Sequence, residues 1–175
     1  LTVDTDIVAI ANIDNTVIIG TKSFVYTATG NDPASYSMSQ PGAAQACVSK
    51  RSMRYLDKVG VVFASPDGYM VCRGSAGKVD NATEGIFTRR QWEALAPSSI
   101  IAGVHDSVLH FFFTGTTPDA GYALDAKPNG FGLIRLAYHA TALHSDPLTD
   151  GFYLVLDVNN EPTDSDLPVA STAVT

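Results

Sequence analysis

Cysteine is almost absent from this 175-residue chain, which holds only Cys47 and Cys72. Two thiols make no disulfide framework, and no CxxC spacing suggests a zinc knuckle. Both are expected as small buried apolar side chains, with a disulfide between them as the alternative. Basic charge is scarce too. The 11 Lys and Arg stand against 18 Asp and Glu, a formal net charge of -7. Such a surface has no basic excess with which to release counterions from phosphate, so sequence-specific nucleic-acid binding is not expected. No run of about 18 apolar residues occurs, which excludes a hydrophobic spanning helix. The first residues lack the basic and apolar regions of a signal peptide. The chain begins at Leu1 and not Met, so residues are expected to precede it.

Catalytic signatures are also missing, and no enzyme activity, metal or cofactor is expected. His105, His110, His139 and His144 invite a base or a ligand. His105-Asp106-Ser107 even sets three triad residue types in a row, but adjacent strand residues point to opposite faces and cannot form a relay. The five-residue step from His105 to His110 is not a recognised ligand spacing. Glu84, Glu93 and Asp125 are scattered, with no motif that would pair two carboxylates across a sugar. Asp164-Ser165-Asp166 lacks the glycine hinge and distal Glu of a calcium loop.

What the chain does have is apolar residues, 45% of the total, enough for a core. They come in short runs rich in Val, Ile, Phe and Tyr: 6–11, 15–19, 23–27, 59–64, 69–72, 99–105, 108–113, 133–139 and 152–157. Gly, Asp, Asn and Pro break them. This is the pattern of half-buried strands and hairpin turns, and it predicts an all-β fold. Thr88–Leu95 is the exception. Thr88 and Gln91 make a capping-box pattern, so a short helix is expected, with Trp92 as a packing anchor. In the run Phe111 to Phe113, Phe112 should face one side and its neighbours the other. Apolar residues on both faces predict a central strand covered twice, with Phe112 as a second anchor.

Four turn aspartates, Asp14, Asp67, Asp106 and Asp150, lie 53, 39 and 44 residues apart. Gly68 and Gly151 follow two of them and suit tight turns. A period of about 40 to 50 residues with several short strands in each is the mark of β-propeller blades. Residues 1–157 would hold about three and a half such units, and residues 158–175 an extended C-terminal arm. A β-sandwich is the alternative.

Several phrases resemble those of virion proteins of tailed phages and prophages. They are residues 45–53 (QACVSKRSM), 62–68 (VFASPDG), 88–92 (TRRQW) and 97–100 (PSSI), with 26–38 (YTATGNDPASYSM) upstream. The resemblance covers roughly residues 20 to 115, and the last third carries no such phrase. It implies a propeller-like tail hub, nozzle or neck component. Such a component would sit in the virion after assembly in the host bacterial cytoplasm, form a homo-oligomeric ring with other tail proteins, and serve tail assembly and DNA passage. A receptor- or glycan-binding module of a tail tip, and a propeller glycosidase, are the alternatives. Ser65-Pro66-Asp67-Gly68 is similar to the Asp box of sialidase propellers, but no residue separates Asp67 from Gly68, so the match fails.

Overall fold

The computed structural model describes residues 3, 5–40, 44–73, 78–115, 120–127, 130–146 and 148–156. They are mostly strand, in four antiparallel sheets. The first holds β1 (Ile7–Ile13), β2 (Thr16–Thr21), β3 (Val25–Thr29) and β4 (Ser37–Ser39). The second holds β5 (Arg54–Leu56), β6 (Gly60–Ser65), β7 (Gly68–Arg73) and β8 (Lys78–Asn81). The third holds β9 (Ile100–His105), β10 (Val108–Phe113), β11 (Ala120–Lys127) and β12 (Gly130–Arg135). β13 (Ala140–Asp146) and β14 (Gly151–Leu156) form a two-stranded fourth. Each of the first three is a meander whose strand order follows the chain.

The first strands of successive sheets lie against one another, β1 with β5, β5 with β9 and β9 with β13. That is how propeller blades stack, each sheet covering the face of the one before. Four sheets in series, not two facing sheets, distinguish the fold from a sandwich. The C-terminal arm expected at 158–175 lies outside the described residues.

The core follows from the two-residue period of a strand. On β6, Val61 and Phe63 face the first sheet and pack with Ile18, Val25, Met53 and Met70. Val62 and Ala64 face the third sheet and join Tyr69, Trp92, Leu109, Phe111 and Phe113. On β10, Phe111 and Phe113 point back into that cluster, while Phe112 points forward to Ile101 and Ala140 at the fourth sheet. Leu143 of β13 sits so close over Gly103 of β9 that a Cβ at position 103 would overlap it. The sheets therefore approach more tightly there than any side chain larger than hydrogen permits.

The helix α1 (Arg89–Ala94) lies between the second and third sheets in sequence. The Gln91 N–H donates to Thr88 Oγ1 at 3.3 Å, and the Thr88 N–H donates to Gln91 Oε1 at 2.9 Å, closing the capping box. Trp92 is fully buried against Tyr69, Phe87 and Phe113, and its indole N–H donates to the Ser65 carbonyl at 2.7 Å. One expected strand is displaced. The run 133–139 ends as strand at Arg135, because the chain must then cross to the fourth sheet. Leu136 and Tyr138 pack into the third cluster on the way, and His139 is buried with Nε2 3.0 Å from the Phe113 carbonyl.

Phe112→Ala should cost about 3 to 5 kcal/mol, the range for emptying a buried Phe site. Urea unfolding measures it. A loss below about 1 kcal/mol would mean that the third and fourth sheets do not close over this ring.

Candidate functional site

The segment between the first two sheets, which runs into the turn Lys50–Ser52, ties three sheets together. The Cys47 N–H donates to the Thr21 carbonyl of the first sheet at 2.9 Å, and the Val48 N–H to the Ala64 carbonyl of the second at 3.0 Å. Ser49 Oγ donates to the Ile100 carbonyl of the third at 2.7 Å. Ser52 Oγ accepts from the Ala64 N–H at 2.9 Å and donates to the Ser49 carbonyl at 2.7 Å. The Tyr69 hydroxyl donates to the Ser52 carbonyl at 2.6 Å. Every one of these bonds is buried or part of a sheet edge, where an unmet polar group would cost about 1 to 3 kcal/mol.

Four of the sequence phrases quoted above, separated along the chain, meet in space. Gln45 accepts from Ser65 Oγ and donates to Asp67 Oδ2 at 3.2 Å. Arg89 Nη1 lies 3.3 Å from Asp67 Oδ1, and Trp92 reaches the Ser65 carbonyl. The phrases 45–53, 62–68, 88–92 and 97–100 are thus parts of one lock.

The turn residues divide. Asp14 takes φ +49 between β1 and β2, and Asp106 and Ser107 take +48 and +62 between β9 and β10, the two-residue turn that matches strand twist. Asp150 takes +54, so the positive φ before β14 belongs to it and not to Gly151. Asp67 lies in the second hairpin of its sheet, where Gly68 takes φ +149. A Cβ on Gly68 would also sit 2.5 Å from Asn81 Oδ1 and Thr83 Oγ1. The first-hairpin turn of the second sheet instead carries Asp57, beside Lys58 at φ +59. With Asp57 in place of Asp67, the separations become 43, 49 and 44 residues, closer to a true repeat.

Two of these turns meet. His105, Asp106 and Asp150 place one ligand atom each within 4.8 Å of one another. The expectation that His105 and Asp106 point apart fails here, because alternation ends with the strand. Asp106 is already in a left-handed turn, and its Oδ2 lies 3.6 Å from His105 Nε2. The other carboxylates raised by the sequence lie on different elements: Glu93 on α1, paired with Arg89 at 2.9 Å, and Asp125 on β11.

The outer faces of the end sheets remain. On the first, Ile10 pairs with Ile19 and Ile19 with Tyr26, and Ile10 is 61% exposed. On the fourth, Tyr153 and Val155 are 39% and 59% exposed, beside Ala142 and His144 across the hairpin. Among the described residues, no helix is long and apolar enough to cross a membrane. No protein-family model and no curated protein matches the chain.

Cys47 and Cys72 are free and buried. Burial pushes both thiols from their ordinary value of 9.0 up to about 11. The folded state thus holds these protons more tightly than the unfolded chain. Its advantage is complete below about pH 9 and is lost as pH rises toward about 11, at about 2 to 3 kcal/mol per thiol. Cys47→Ala/Cys72→Ala should flatten the fall in stability between those pH values, as followed by urea unfolding. In the native protein, both thiols should resist a thiol reagent at pH 8 and react once urea unfolds the chain.

Proposed function

We propose that this chain is a non-enzymatic structural module of a tailed-phage virion, of tail hub, nozzle or neck type, and that it assembles with further copies of itself into a ring. The phage assignment rests on the resemblance of the quoted phrases. The assembly assignment rests on one observation: the outer faces of the first and fourth sheets carry exposed Ile10, Tyr153 and Val155. The internal faces are mostly covered by the neighbouring sheet, with Tyr55 and Ile134 on the edge strands β5 and β12 left 45% and 65% exposed. The two end faces are different surfaces, so a contact between them is heterologous, and repeated by rotation it closes a ring.

Light scattering on the purified protein should give a multiple of 18.5 kDa. Ile10→Asp and Val155→Asp should each break the assembly without loss of strand signal in circular dichroism. Each variant keeps one intact face, so mixing the two should restore a pair and no larger species. A wild-type monomer at every concentration up to its solubility limit would overturn the ring. Mass spectrometry of purified virions from the host of this gene should find the chain as a stoichiometric component. Its absence there would overturn the phage assignment.

A further inference from the structure

We propose that His105, Asp106 and Asp150 bind a divalent transition-metal ion of the zinc class, and that the ion fastens the first hairpin of the third sheet to the fourth sheet. The inference is independent of the ring.

Three observations carry it. The ligand atoms of the three side chains lie within 4.8 Å of one another, although they come from two turns about 44 residues apart in sequence. The 3.6 Å between His105 Nε2 and Asp106 Oδ2 is too long for a hydrogen bond. It is the separation of two ligands that share one ion at about 2.1 Å with a roughly tetrahedral angle. The imidazole is also held in place. Its ring stacks on Phe152 with centroids 5.3 Å apart and planes 11° apart, and Phe152 is buried on β14. His110 tilts onto the same ring at 4.8 Å. The strand that follows Asp150 therefore also orients His105.

The donor set selects the class of ion. One imidazole and two carboxylates suit zinc, cobalt, nickel or manganese. Calcium and magnesium ask for six or more oxygen ligands, usually without imidazole. Two carboxylates that converge at the tips of neighbouring turns repel each other, and a dication removes that repulsion. Both aspartates are exposed at turn tips, so an ion has a path in, and rotation of their side chains can bring ligand atoms now up to 4.8 Å apart to the roughly 3.4 Å of a shared tetrahedral ion. Three protein ligands leave a coordination position for water.

The test uses chelator-treated protein and zinc. Calorimetry should show one strong site, and a hundredfold excess over Kd should raise the melting temperature by about 5 to 10 °C. Cobalt should give a visible d–d absorption band. Asp150→Asn and Asp106→Asn keep a residue that tolerates the left-handed turn and remove only the charge. Each, like His105→Gln, should weaken zinc on the order of tenfold or more. Metal-free melting of the Asn variants near the wild-type value keeps the comparison valid. Zinc binding unchanged in Asp150→Asn would overturn the proposal, as would stabilisation by calcium and not by zinc, or no binding at all.

Discussion

The two middle strands of the second sheet are shut off from water. All six residues of β6 are buried, and so are the first five of β7. A strand that is apolar on both sides can exist in water only between two other layers, and each fully buried large side chain contributes about 1.5 to 3 kcal/mol once covered. The stacking of sheets is therefore a condition for β6 and β7 to form. The same holds for β10, whose three phenylalanines need a sheet on each side. The constraint passes along the stack. Every added sheet covers one face and presents another, so the first and last sheets each keep an outer face that no other sheet of the stack packs on.

Stacked faces alone would slide, because apolar contact has no direction. Direction comes from the lock around residues 45–53. Its hydrogen bonds go to carbonyls at Thr21, Ala64 and Ile100, one in each of three sheets. Trp92 serves both ends of this logic. Its ring fills the cluster between the second and third sheets, and its N–H meets the Ser65 carbonyl beside the Gln45–Asp67 contact. This explains why phrases so distant in the chain read as one pattern: they share one set of buried polar groups, each of which has to be met.

Sequence alone conveys the strands whose alternation is strong. Val108–Phe113 is an observed strand with the bounds expected of it, and the capping box of α1 is present as read. Strands without that signal are not legible in the sequence. β5 is three residues long, β8 (KVDN) is polar, β11 (AGYALDAK) is rich in Ala and Gly, and β13 (ATALHSD) is half polar. These form because a neighbouring strand supplies a register, which a local pattern does not contain. The blade repeat was visible but misphased, since Asp67 marks a second hairpin and Asp57 the first. The cluster at His105 was hidden for a different reason. Asp150 reaches it only after the third and fourth sheets have stacked, and no spacing rule encodes that approach.

The fourth sheet is where these constraints meet. Two strands alone are marginal in water, and β13–β14 keeps its place through Leu143 over Gly103, Phe152 under His105, and the cluster around Phe112. If this sheet swings away, Phe112 and Ile101 lose their cover, and with them one whole face of the third sheet. The cheapest opening of the molecule is thus at this end, in the sense of a local unfolding that leaves the first three sheets paired. A clamp at the turn and a neighbour on the outer face would both act on that one opening. They act on it from opposite sides, the turn cluster by joining two hairpin tips and a packed partner by covering Tyr153 and Val155. The stability of this end therefore sets whether the stack presents a finished surface or a frayed one.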